Sequence, residues 1–305
     1  MTAVAELPPK AAAAPVETPL RRAVAEFAES KLALLGLALF LAILALALAA
    51  PYIAPQNPYD LSKLDLLDGR LPPGSQSMDG LTYWLGTDDK GRDMVSAILY
   101  GLRTSLAVGA ASAAIALAIG AAIGLVAAYL GGWVETVIMR IVDIQLSFPA
   151  ILVALILVAI LGQGTEKIVL ALVTVQWAYY ARTVRGSALV ERRKEYIEAA
   201  RCLALPPSRI VFRHLLPNCL PPLIVVVTVQ VAHAIALEAT LSFLGIGLPI
   251  TEPSLGLLIA NGYEYMMSGK YWISFFPGVA LLLTIVSINL VGDRLRDVLN
   301  PRLRR

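Results

Sequence analysis

"EYIEAARCLALPPSRIVFRHLLPN", residues 195–218, lies between two long apolar runs and decides how the rest of the chain is read. It carries Glu195, Glu198, Arg201, Arg209, Arg213 and His214, and it is split by Pro206 and Pro207. Residues 191–205 read as one helix. Tyr196, Ala199, Ala200 and Leu203 recur at i, i+3, i+4 and i+7, which makes one apolar face with Glu195, Glu198 and Arg201 largely off it. Ala199 and Ala200 are small, so another surface can approach the backbone closely. Pro206 stops this helix by pushing Leu205 out of the helical region. Pro207 suits the start of a second short helix, 208–216, which Pro217 ends. The expectation is two short helices at an angle, the first a small exposed knob. Its arginines would suit lipid headgroups, but the acidic pair and the paired alanines favour a protein partner.

The flanking sequence explains why such a segment is unusual. The 305-residue chain is 58% hydrophobic and only 15% charged, with a mean hydropathy of +0.72. A soluble domain carries about a quarter charged residues, so the class is an all-α polytopic membrane protein. Apolar runs at 32–50, 105–130, 136–161, 168–181, 220–243 and 273–292 predict six transmembrane helices. The first is longer than the roughly 7–15-residue core of a signal peptide, which favours an uncleaved anchor. The chain divides into an N-terminal tail (1–31, with a short amphipathic helix over 20–30) and a first transmembrane helix (32–53). A polar, proline-bearing loop (54–104) and a five-helix core (105–292) follow, the core containing the charged loop at 186–218. A basic tail (293–305) ends the chain.

Six spans place both ends on one side. With the N-terminus inside, most of the 25 Lys and Arg fall on inner segments, leaving Lys63, Arg70, Lys90, Arg92, Arg103, Lys167 and Lys270 outside. The positive-inside rule therefore expects cytoplasmic tails, a cytoplasmic 195–218 segment, and outward-facing loops at 54–104 and 248–272.

Other motifs exclude more than they suggest. A net charge of +3 is too small to argue for nucleic acid, and Cys202 and Cys219 have no metal spacing. The stretch from Gly86 to Asp93 fails as a phosphate loop, because Arg92 and Asp93 stand where Lys and Ser/Thr are needed. It also lacks EF-hand spacing and reads as a structured turn leading into the second span. Gly120 and Gly124 form a G-x-x-x-G pair that permits close helix packing. Arg140 and Asp143 are placed to pair along one helix. Glu238 is expected near the outer end of its span within reach of water, and His233 deeper as a packed neutral residue. No catalytic or metal-binding constellation appears, so the chain is not read as an enzyme.

Glu198-Ala199-Ala200, followed by Arg209-Ile210 and Leu216-Pro217-Asn218, resembles the EAA loop of permease subunits in binding-protein-dependent ABC importers. "YWLGTDDKGRDMVSAILYGLRTSL" (83–106), "GGWVETVIMRIVDIQLSFPAILVAL" (131–155), "EATLSFLGIGLP" (238–249) and "FFPGVALLLTIVSINLVGDRLRDVLNPRLR" (275–304) resemble the dipeptide/oligopeptide/nickel branch, its C-type subunit in particular. One position departs: Ala204 stands where the family usually has Gly, and Leu205-Pro206-Pro207 is expected to supply the break instead. The resemblance implies the type I importer transmembrane fold and an inner-membrane permease that imports peptides or similar solutes. It implies a second homologous permease, two cytoplasmic ATPase subunits that bind ATP and Mg, and an extracytoplasmic solute-binding protein. Glu195, Glu198, Ala199, Ala200, Arg201, Leu203 and Ala204 would form the ATPase-coupling surface. An ion-coupled secondary transporter is the alternative, and it should show inverted repeats with broken spans.

Overall fold

The computed structural model describes residues 19–299 apart from 61, 63, 78, 79 and 250. The basic residues at the extreme C-terminus and most of the N-terminal tail lie outside this range. A short amphipathic helix, α1 (Pro19–Ala28), leads into α2 (Lys31–Ile53), whose first turn is capped by Ser30 accepting the Ala33 N–H at 3.3 Å. One stripe of α2 (Ala33, Gly36, Ile43, Ala47, Ala50) is buried, Leu39, Phe40 and Leu44 beside it are half-buried, and most of the remainder is exposed and apolar. That is the surface of a helix meant for lipid on most of its circumference.

The segment after α2 is a folded unit. Strands β1 (Ser75–Gln76) and β2 (Thr82–Tyr83) pair antiparallel. The Arg92 Nε donates to Asp88 at 2.6 Å with both side chains fully buried. Asp93 accepts from the Ser96 N–H at 2.8 Å and from the Ser96 hydroxyl at 2.6 Å, capping α3 (Met94–Leu130). The stretch from Gly86 to Asp93 is thus a buried turn that starts a span. The loop is shorter than 54–104, because Asp93 starts the helix eleven residues before the apolar run begins.

Helix α3 crosses α6 (Thr165–Glu191) at the glycine pair. A Cβ on Gly120 would meet the Trp177 carbonyl, and one on Gly124 would lie 2.5 Å from the Ala181 carbonyl oxygen. Gly131, at φ +68°, ends α3. The predicted third span is two helices, α4 (Gly132–Ser147) and α5 (Ala150–Leu161), bent by 90°. Pro149 holds Phe148 extended (φ −90°, ψ 141°), and the intended single helix breaks there. Asp143 pairs with Arg182 of α6 rather than with Arg140, and Glu135 pairs with Arg185.

Beyond α6 come α7 (Glu195–Cys202), the single turn α8 (Pro207–Arg209), a π turn (Ile210–Leu215) and α9 (Leu216–Phe243). From Pro207 to Phe243 these form one 37-residue rod. Pro217 does not end a helix. The preceding π turn, in which the Leu216 N–H reaches the Val211 carbonyl, shifts the hydrogen-bond register so that a residue without an N–H can follow. The predicted 248–272 loop contains α10 (Leu255–Tyr263), packed between α9 and α11 (Trp272–Leu299). Gly256 lies against the Ala239 backbone and Gly262 against Ser274. Helix α11 runs well into the predicted 293–305 tail.

Four helices are long and apolar enough to cross a membrane: α2, α3, the Pro207–Phe243 rod and α11. The bent α4–α5 pair makes a fifth span if the two count as one. Helix α6 carries Gln176, Arg182 and Arg185 and is too polar to qualify alone. It is held inside the bundle, with Leu172, Tyr180, Ala181 and Val184 fully buried. Counting it restores six.

Candidate functional site: the charged knob below α6

Glu191, the last residue of α6, organises the start of the knob. Its carboxylate accepts from Lys194 Nζ at 2.6 Å and from the Tyr196 hydroxyl at 2.8 Å. Partial burial, followed by the bond and charge of Glu191, pushes the Tyr196 hydroxyl up to about 12. Arg192 Nη1 donates to the Ala128 carbonyl at 2.6 Å, tying the same corner to the end of α3. Helix α7 therefore leaves the bundle from a fixed point, and residues 192–194 are a turn rather than part of the predicted 191–205 helix.

The face that α7 buries differs from the predicted one. Ile197 is fully buried and Ala200 is 5% exposed, and both pack in a cluster with Ala188, Ile210, Leu215, Cys219 and Leu223. These come from α6, the π turn and α9. Glu195, Tyr196, Glu198, Ala199, Arg201, Cys202, Leu203 and Ala204 face out, with Leu203 74% exposed. Six of the seven sequence-predicted coupling residues are therefore exposed, and Ala200 alone points inward. Ile197 is the residue the sequence reading missed. Its signal was present as the Ile197–Ala200 i, i+3 pair, but Tyr196 offered a longer apolar series at equally good spacing.

Ala204 corrects a second expectation. The break after α7 is made by Ala204 itself, at φ +52°. The Ala204 N–H bonds the Arg201 carbonyl at 2.8 Å and the Leu205 N–H bonds the Ala200 carbonyl at 3.1 Å. These two bonds are the Schellman arrangement, in which the left-handed residue is usually glycine. Leu205 folds back on the cluster containing Ala200, supplying the apolar contact that accompanies this cap. The prolines that follow start α8 and do not replace the left-handed turn.

Two ionisable residues of α9 also differ from expectation. Glu238 is fully buried rather than in contact with water, and accepts hydrogen bonds from the Ser105 and Ser242 hydroxyls, each at 2.8 Å. His233 is exposed on the surface of the chain rather than packed. Among the described residues no three His, Cys, Asp or Glu side chains are grouped as a metal site.

Comparison with known proteins gives the arrangement a family. The model of "binding-protein-dependent transport system inner membrane component" matches residues 120–305, and that of the "N-terminal TM domain of oligopeptide transport permease C" matches residues 18–73. The dipeptide transport system permease protein DppC of Escherichia coli K12 is 40% identical over 97% of this chain and 98% of its own. A putative peptide transport system permease protein of Brucella suis is 40% identical over 88% of both chains. The fold is similar to a chain of the MetNI methionine ABC transporter in an inward-facing conformation, with a TM-score of 0.54 at 22% identity, covering 67% of this chain and 96% of that one. This chain belongs to the family of binding-protein-dependent transport system inner membrane components, in the dipeptide and oligopeptide permease branch.

Proposed function

We propose that the chain is a permease subunit of an ATP-driven peptide importer, and that α7 is the element through which ATPase subunits move it. The observation that carries this reading is the two-sidedness of α7. Its outer side carries Glu195, Glu198, Arg201 and the small Ala199 beside Tyr196 and Leu203, while Ile197 and Ala200 seat its inner face in a cluster shared with α6 and α9. A push on the knob is thus transmitted to two spans without an intervening flexible loop. The names of the relatives support peptides as the cargo class.

In this reading the chain provides half of a translocation pathway, opposite a second homologous permease. Two cytoplasmic ATPases bind ATP and Mg, and an extracytoplasmic binding protein delivers the solute. ATP binding draws the two knobs together and switches the spans between inward-open and outward-open states, each partner stabilising one of them. The knob and both termini lie on the cytoplasmic side of a bacterial inner membrane, in keeping with the positive-inside pattern. Family membership does not favour the ion-coupled carrier.

The test is Glu198→Lys in the assembled importer. ATP-driven uptake is expected to be lost while the chain stays in the membrane at wild-type level. Undiminished uptake by the variant would overturn the coupling assignment.

A further inference from the structure

A cavity of about 570 Å³ opens at the opposite end of the bundle from α7, between the segment after α2, the 103–111 stretch of α3, the first turns of α6, and the linker before α10. Its size is within the range of small-ligand sites. Ala107, Val108 and Ala111 of α3 form a small-residue floor, and Arg103 and Glu252 bring opposite charges to its rim. Among the described residues these two form no ion pair with each other. Both lie near one hydroxyl: burial raises the Tyr59 pKa, Glu252 adds to the rise and Arg103 opposes it.

The polar groups around the cavity are held in place. The Thr165 hydroxyl donates to Glu252 Oε2 at 2.5 Å. The Tyr59 and Thr104 hydroxyls are 3.0 Å apart, and Thr104 also donates to the Tyr100 carbonyl at 3.1 Å, so Tyr59 is the donor of the pair. The Tyr59 ring stands edge-on to Tyr100 with centroids 5.2 Å apart. A guanidinium and a carboxylate are thereby presented to one apolar-floored space without neutralising each other. Guanidinium recognises carboxylate by two parallel hydrogen bonds, and carboxylate recognises ammonium.

We propose that this cavity is a transit subsite for the free ends of a zwitterionic peptide, with Arg103 taking the carboxylate and Glu252 the ammonium. The proposal rests on the peptide-importer reading and adds to it a place where the chain itself selects for unblocked termini. It gives Arg103 a function that burial and pairing do not: the side chain is exposed and its guanidinium can meet a carboxylate that arrives with the cargo.

The test uses the complete importer in proteoliposomes, with binding protein fully loaded with a free-ended dipeptide. Arg103→Gln and Glu252→Gln are each expected to lower uptake about tenfold while binding-protein-stimulated ATP hydrolysis persists. Glu166→Gln and Lys167→Gln, exposed charges on α6 beside the cavity but not lining it, are expected to stay within twofold of wild type. Ala107→Leu fills the same space without altering charge and is expected to reproduce the loss. Its effect keeps the proposal decidable if a charge variant fails to assemble. Uptake within twofold of wild type for Arg103→Gln and Glu252→Gln, or for Ala107→Leu where those do not assemble, would overturn the subsite alone. Absence of any dipeptide uptake by the wild-type importer would overturn the peptide reading and the subsite together.

Discussion

Ala204 holds a conformation that its own Cβ opposes. A non-glycine residue in the left-handed region costs about 1–2 kcal/mol, whereas glycine at the same place costs about 0.5–1 kcal/mol through the extra freedom it has when unfolded. The balance favours Ala204→Gly by about 0.5–1 kcal/mol, and thermal unfolding in detergent should show a midpoint raised by about 2 °C. Ala204→Val should lower it, since a β-branched side chain is worse there. Glu238 is a residue of a different kind. Its two carboxyl oxygens serve Ser105 and Ser242 separately, so they join α3 to α9. Glu238→Ala leaves both hydroxyls without an acceptor and opens a cavity, and should cost about 2–4 kcal/mol. Glu238→Gln keeps one acceptor and lets a hydroxyl rotate to receive from the amide, so its midpoint should fall between those of wild type and Glu238→Ala. The bond to Ser105 was not readable locally. Ser105 is 133 residues from Glu238 in sequence, and only the packing of α3 on α9 joins them.

At the scale of elements, the α3–α6 crossing was written openly in the sequence and the breaks were not. Gly120 and Gly124 are spaced for close approach, and the structure places backbone where their side chains would be. Gly124→Leu should therefore force two spans apart and lower the detergent midpoint, at a cost of about 1–3 kcal/mol or more because backbone cannot rotate away. Gly186, on α6 itself, makes the control. A Cβ there meets nothing within 4 Å, so Gly186→Ala should leave the midpoint unchanged or raise it through better helix propensity. Pro149, Pro207 and Pro217 show why breaks are harder to read than crossings. Pro149 bends a run that looks like one uninterrupted span, because its neighbours are apolar on both sides. Pro217 looks like a terminator, yet sits inside a continuous rod because a π turn precedes it. Pro207 does what its local preference says, at the first turn of a helix. Hydropathy locates apolar length, but which prolines bend a helix depends on hydrogen-bond register, and that is settled by neighbouring helices. The short α10 escaped for a related reason: it is too short to span and is stabilised by two glycine contacts with α9 and α11 rather than by its own periodicity.

In the whole molecule, the knob is packed onto the spans through one shared cluster, and the two alanines of Glu198-Ala199-Ala200 occupy opposite sides of α7. The sequence alone grouped them on one face. The structure separates them, because Ile197 takes the inner position that Tyr196 was expected to hold. The separation makes stability and coupling experimentally distinct. Ala200 is 5% exposed within the cluster that joins α7 to α6 and α9. A leucine there overpacks the joint and should cost about 1–3 kcal/mol. Ala199 is exposed, so a leucine or tryptophan there meets no neighbour within the chain and should leave the unfolding midpoint unchanged. If α7 is the surface that ATPase subunits grip, Ala199→Trp should still abolish ATP-driven uptake, since bulk at a close-approach position keeps the partner away. Ala200→Leu should lose uptake only in proportion to its lost stability, and should recover part of it when combined with the stabilising Ala204→Gly. Paired measurement of unfolding midpoint and uptake on the same preparations separates the two. A stable, fully active Ala199→Trp would place the contact with the ATPases elsewhere on the chain, and the lever formed by α6, α7 and α9 would then have no handle.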